Sequence, residues 1–232
     1  EQTYLPANWE SIKAYVDISN NTRTDAGSQT VTVSLKDAIN NTWSDDTTQA
    51  KTFTFTIGRA KTAVLPTQKG TLTYNNTVQS PEWNNYDTVK LTIGGTTEGS
   101  NAGSYTATFT PTANYAWSDG TTTAKNATWT IGKASMGAPT VTISTSGVVT
   151  WTAVTGATSY EISIDGTTYT SASSGMNYNS TITKSTGNRT VYVRAKSTSA
   201  NYNDTGAVGE KTVVVTQLTV ATNGGSYLGS TN

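Results

Sequence analysis

The sequence predicts an all-β chain: three tandem antiparallel β-sandwiches, the first two alike and the third different. Three observations predict it. Apolar and polar residues alternate in stretch after stretch. Turn signals separate those stretches at short, even intervals. One long pattern is written twice.

The alternating stretches run in order as Thr30–Leu35 (TVTVSL), Thr52–Ile57 (TFTFTI), Ser104–Thr110 (SYTATFT), Ala127–Ile131 (ATWTI), Thr140–Ser144 (TVTIS), Tyr160–Ile164 (YEISI) and Val191–Ala195 (VYVRA). A period of two with one apolar face describes a half-buried antiparallel strand. No stretch carries the 3.6-residue period of an amphipathic helix. Asp119-Gly120 and Asp165-Gly166 are expected to be tight hairpins with positive φ at both central residues, and Gly94-Gly95 is a further turn signal.

The repeat pairs Pro6 with Pro81, Ile18 with Ile93, Ala26-Gly27 with Ala102-Gly103, Trp43-Ser44-Asp45 with Trp117-Ser118-Asp119, Ala50-Lys51 with Ala124-Lys125 and Ile57-Gly58 with Ile131-Gly132. Two copies of one module are therefore expected at 1–60 and 61–135. Nothing in 136–216 fits the pattern, so a different module is expected to begin near Pro139. Residues 61–75 have no counterpart before Glu1. The first repeat is expected to lack its opening strand and to present a bare sheet edge. Residues 217–232 have two readings: the opening strand of a further module of the first type, or a disordered tail. The links GRAKTAV and GKASMGAP are short, which predicts a semi-rigid rod. A first residue of Glu rather than Met is what a processed chain or a fragment shows.

Composition excludes several functions. The chain has 232 residues, 34% hydrophobic and only 13% charged, with a formal net charge of zero. No run of Lys or Arg provides a phosphate-binding face, which argues against nucleic acid and anionic membrane surfaces as partners. Without Cys or His there is no thiolate chemistry, no disulfide, no imidazole base and none of the usual zinc ligands. No stretch is long and apolar enough to span a bilayer as a helix.

Asn101–Ala107 (NAGSYTA) resembles the Asp-Ala-Gly-x-Tyr-x-Cys stretch of immunoglobulin domains, with Tyr105 in the tyrosine-corner place and Ala107 in that of the disulfide Cys. The first repeat has Gln29 and Val31 there. The whole repeat, including Tyr74–Pro81 (YNNTVQSP), resembles the Ig-like repeats of surface proteins of Gram-positive gut bacteria and their phages. The third module resembles a fibronectin type III domain. Pro139 precedes its first strand, Val148–Gly166 looks like strands B and C with Trp151 as the core Trp, and Val191–Ser197 looks like strand F with Tyr192 near the corner. The resemblances imply an Ig-like module lacking its first strand at 1–60, an Ig-like module at 61–135, a fibronectin III-like module at 136–216, and a tail or next first strand at 217–232. Tyr105, Trp151 and Tyr192 are the implied core aromatics.

Trp43 and Trp117 lie between the last two strands of their repeats. With Tyr115, Asp119 and Asp45 they form a candidate ligand-binding loop that could stack a sugar ring; the alternative is that each Trp covers the open end of its core. Asp45, Asp46 and Asp119 fall short of the converging carboxylates calcium needs. Glu10, Glu82, Glu98 and Glu161 include no pair marked for glycoside hydrolysis. Lys90 and Lys125 could enter Lys–Asn bonds of the kind known in Gram-positive surface modules, but no triad is marked. No catalytic residue, metal or cofactor is expected. The expected function is a non-enzymatic structural or spacer segment of a larger extracellular protein, on a bacterial cell surface or a phage virion, assembling end to end by strand complementation. Its partners would be other copies of itself or neighbouring modules. The alternative is a weak, multivalent carbohydrate- or mucin-binding adhesion module.

Overall fold

A computed structural model describes residues 1–182 and 186–216. Regular structure among them is β, apart from two single-turn helices, Trp9–Ile12 and Asn179–Ile182. By contact density the chain divides into two compact units. One comprises Glu1–Thr71, Val78–Gly99 and Ser104–Thr130; the other comprises Leu72–Thr77, Ser100–Gly103 and the residues from Ile131 onward.

In the first unit, the first repeat builds an antiparallel sheet from Val16–Ser19, Gly27–Leu35 and Lys51–Ile57, in that order. The alternation read from the sequence sets its faces: Val31 and Val33 point inward and are buried with Val16, and Trp9, Ile12, Trp43 and Phe55 pack against them. The second repeat reuses the plan with larger side chains. Leu91–Gly95 pairs antiparallel with Gly103–Pro111, setting Ile93 opposite Phe109. Phe109 meets the edges of Trp83 and Tyr86, at 4.9 and 5.3 Å between ring centroids. Trp129 is buried, donates its indole N–H to the Thr96 carbonyl at 2.7 Å and stacks on half-buried Tyr105 at 4.5 Å.

The second unit contains a three-stranded sheet, Val141–Ile143, Val148–Trp151 and Met176–Asn177, and a four-stranded one in the order Thr170–Ala172, Ser159–Ser163, Gly187–Lys196, Thr205–Val215. Val141, Val149, Ile162, Ile182, Val191 and Val193 form its core, with Trp151 and Tyr160 packed against them. Tyr192 departs from the expected core role. On Gly187–Lys196 the residues Val191, Val193 and Ala195 are buried, so Tyr192 falls on the other face beside Arg194. Its ring lies instead over Gly166, where φ is +75°.

The Asp-Gly turns also differ from expectation. Gly120 and Gly166 take positive φ, but Asp119 and Asp165 do not, and the loops are longer than two residues. Each Asp holds its loop by its carboxylate. Asp165 accepts backbone N–H bonds from Thr167 and Thr168 at 2.8 and 2.7 Å, an Asx arrangement that removes the need for a primed turn. In the first repeat Asp46, at φ +58°, takes the left-handed position that Gly120 fills in the second. The proposed strand in 217–232 lies outside the described residues.

Candidate functional site

One tripeptide makes the same hydrogen bonds in each compact unit. Ala113-Asn114-Tyr115 recurs as Ala200-Asn201-Tyr202, in the segment where no trace of the repeat was expected. In the first unit, Asn114 Nδ2 donates to Asp25 Oδ1 at 2.7 Å, and Asn114 Oδ1 accepts from the Ala26 N–H at 2.8 Å. The Asn114 carbonyl accepts from the Ala60 N–H at 2.9 Å. In the second unit, Asn201 Nδ2 donates to Asn101 Oδ1 at 3.0 Å, and Asn201 Oδ1 accepts from the Ala102 N–H at 2.8 Å. The Asn201 carbonyl accepts from the Ala134 N–H at 2.9 Å.

The chemistry explains the residue. A carboxamide carries a donor and an acceptor on one carbon, so it can engage a side-chain oxygen and the next backbone N–H together. Asp lacks the donor and Lys the acceptor. The receiving corner is Asp25-Ala26-Gly27 in one joint and Asn101-Ala102-Gly103 in the other; Gly27 and Gly103 have φ of +127° and +159°. The link residues repeat as well. Arg59 Nη1 reaches the Thr112 carbonyl at 3.2 Å, and Lys133 Nζ lies 3.5 Å from Asp204 Oδ1. Ala60 pairs parallel with Tyr115, and Ala134 with Tyr202.

Asn114→Ala removes two of the three bonds and leaves the Ala26 N–H without its acceptor. It is expected to destabilise the first unit by about 1–2 kcal/mol. Amide hydrogen exchange should show faster exchange at Ala26, with the Trp129 indole proton unaffected.

The candidate ligand loop of the second repeat follows the Asn114 joint in the chain. Trp117 is only 2% exposed, and its indole N–H donates to the Thr123 carbonyl at 2.8 Å. Lys125 Nζ stands 5.1 Å from the centre of that ring and 2.7 Å from Asp119 Oδ2. Asp119 Oδ1 accepts from both the N–H and the hydroxyl of Thr121, at 2.8 and 2.6 Å. The same set holds the first repeat: Trp43 Nε1 to the Gln49 carbonyl at 2.7 Å, Asp45 to Thr47, and Lys51 Nζ to Asp45 Oδ2 at 2.5 Å. Asp45 and Asp119 are therefore engaged as loop locks, each by one Thr and one Lys. Half-buried Tyr115 belongs to the joint. Among the other acids, Glu82 pairs with Lys69, Asp87 with Lys90, and Glu161 with Arg194, whose guanidinium stacks on Tyr169.

The Lys51 ammonium holds the Asp45 carboxyl well below the usual range, at about 2, and Lys125 lowers Asp119 further. The Thr168 backbone N–H does the same for Asp165. All three titrate lower folded than unfolded. Their stabilisation is complete above the unfolded carboxylate value and is lost as pH falls through the folded ones. With no His or Cys in the chain, the urea midpoint is expected to stay flat between about pH 5 and 8 and to fall below about pH 4. A midpoint that moved near neutrality would contradict this assignment.

The two repeats differ at one edge. In the second, Ala60–Ala63 runs parallel to Tyr115–Trp117, setting Ala63 against Trp117. Ala63 and Pro66 are buried, and Thr62–Val64 line a small cleft with Trp83 and Asp87. The equivalent edge of the first repeat is Asn41–Trp43, and no described strand pairs with it. A cleft of about 590 Å³ opens there, lined by Pro6, Asn8, Ile12, Val33, Trp43 and Phe53 among others. Trp43 is only half-buried, and Phe53 is 44% exposed.

No protein-family model and no curated protein matches this sequence.

Proposed function

We propose that this chain is a non-enzymatic structural segment, a spacer within a larger extracellular protein of a bacterial surface or phage virion. The observation that carries this reading is the repeated joint: the same three hydrogen bonds, made by Asn114 in one compact unit and by Asn201 in the other. A repeated side-chain lock that fixes a backbone corner in the same way in each unit suits a structural segment built from repeated parts. The sheet order of the third segment supports the fibronectin III-like resemblance, and the shared plan of the first two repeats supports the Ig-like one. Extracellular placement draws on those resemblances together with a neutral, weakly charged composition.

The adhesion alternative loses Trp117 as a stacking platform, because its ring is covered. It keeps the cleft at Trp43, where a half-buried indole and an exposed Phe53 stand beside Asp45. A glycan array probed with the chain displayed multivalently separates the two readings. The spacer reading expects no specific binding. Reproducible binding that Trp43→Ala abolishes, with the fold intact, would replace it with adhesion.

A further inference from the structure

We propose that the Leu91–Gly95 edge of the second repeat pairs with the same edge of a second molecule of this chain, antiparallel, about a two-fold axis at Gly94. The proposal goes beyond the spacer reading, because it assigns a lateral partner that a spacer does not require.

The chain is described on both sides of this edge. Leu91–Gly95 ends its four-stranded sheet, with Gly103–Pro111 on one side and no described strand on the other. Hydrogen bonding fixes which backbone groups face outward. The Thr112 N–H donates to the Lys90 carbonyl and the Thr96 N–H to the Thr106 carbonyl, each at 2.9 or 2.8 Å. The alternation of an antiparallel ladder then turns Thr92 and Gly94 to the same neighbour. In a trans peptide a C=O and the N–H that follows it point opposite ways. Ile93 and Gly95 therefore hold both N–H and C=O toward the open side.

Sheet edges are ordinarily blunted by a charge or a proline. Thr92, Ile93, Gly94 and Gly95 supply neither, and the two glycines leave room for another backbone to come close. The first repeat is the contrast. Aligning Ile18 with Ile93 sets Asp17, a charge, at the place of Thr92. The Asn20 carbonyl, at the place of Gly95, already accepts from Gln29 Nε2 at 2.9 Å. Arg23, at the place of Glu98, is bound within its own repeat to the Asp25 and Ala26 carbonyls.

Charge and symmetry select the occupant. A two-fold axis at Gly94 sets Ile93 against Gly95 of the second copy, so each outward N–H meets a carbonyl. The same register sets Lys90 against Glu98 of the second copy, and does so twice. Glu98 is exposed and has no ion-pair partner among the described residues; the Lys90 side chain is 37% exposed and lies 3.3 Å from Asp87. Pairing this edge instead with the first repeat's edge, in the equivalent register, would set Lys90 against Arg23, like against like. This is strand addition between identical edges, with the backbone supplying affinity and the flanking charges supplying register.

Sedimentation velocity of the full chain over a concentration series, with amide exchange followed by NMR, tests it. A reversible monomer–dimer equilibrium is expected. The Ile93 and Gly95 amides should exchange fast in dilute solution and at least tenfold more slowly where dimer dominates, while Thr92 and Gly94 stay protected throughout. Glu98→Lys should raise the dissociation constant about tenfold, the combined worth of two exposed ion pairs, without lowering the melting temperature. Adding Lys90→Glu to that variant should restore association. A monomer at every concentration up to about 1 mM overturns the proposal, because affinity that weak is no docking. So does a dimer that leaves Ile93 and Gly95 unprotected, or one that Glu98→Lys does not weaken. Protection of both amides already in the dilute monomer overturns it as well, since the chain would then cover its own edge. A monomeric chain leaves the spacer reading standing. Specific glycan binding removes that reading and leaves the edge pairing untouched.

Discussion

Trp117→Ala is expected to destabilise the first unit by about 3–5 kcal/mol, the range for emptying a large aromatic site that cannot collapse. Trp117 is 2% exposed and sits between Ala63 of the opening strand and the loop that Asp119 and Lys125 lock. The truncation also leaves the Thr123 carbonyl without its indole donor. Urea denaturation followed by far-UV circular dichroism reads the effect; a loss below about 1 kcal/mol would mean the ring is not part of the core. The equivalent change at half-buried Trp43 is expected to cost clearly less, since its cleft is already open. Trp43→Ala, not Trp117→Ala, is therefore the variant that reports on ligand binding with the fold intact.

Gly209→Ala is expected to cost about 3 kcal/mol, near the upper end for overpacking. A Cβ at Gly209 would lie 1.8 Å from the Pro139 carbonyl oxygen, a backbone atom with no rotamer to change. Pro139 ends the stretch that runs from Ala134 within the second unit, and Ala207 donates its N–H to the Met136 carbonyl at 3.0 Å. The missing side chain at 209 is what lets this entering stretch lie flat on Thr205–Val215. A melting temperature within about 2 °C of the parent chain would show that the stretch can move aside, and would weaken the view that opening segments are rigidly seated.

These effects share a cause that was only partly legible beforehand. Val31 and Val33, Ala107 and Phe109, Val191 and Val193 stand on the inner faces that a period of two predicts, because alternation is a local property of the strand. The strand-loop-strand position of Trp43 and Trp117 was legible for the same reason. Their different exposure was not. Two near-identical sentences, Trp43–Ala60 and Trp117–Ala134, end with one ring half-open and the other buried. The difference lies in Ala60–Ala63, more than fifty residues before Trp117, whereas no described strand pairs with the equivalent edge of the first repeat. Tyr192 went astray because the corner pattern places it near a core without saying which face it takes. Register against Val191 and Val193 decides that. The Asp-Gly pairs predicted tight hairpins because the dipeptide permits them, but carboxylates that reach forward to Thr121 and Thr168 hold longer loops. The doubled Ala-Asn-Tyr was visible in the letters and carried no meaning until Ala26 and Ala102 lay beneath it.

By itself the sequence determined the all-β class, the strand positions, the inward faces and the repetition, since each depends on neighbours a few residues apart. It also removed nucleophilic thiol and imidazole chemistry by leaving out Cys and His. Tertiary structure alone decided the joints and the open edge. The bond from the Ala26 N–H to Asn114 spans 88 positions and the bond from the Ala102 N–H to Asn201 spans 99. Partners that distant leave no periodicity in the chain; only folding brings the carboxamide and the corner to one place.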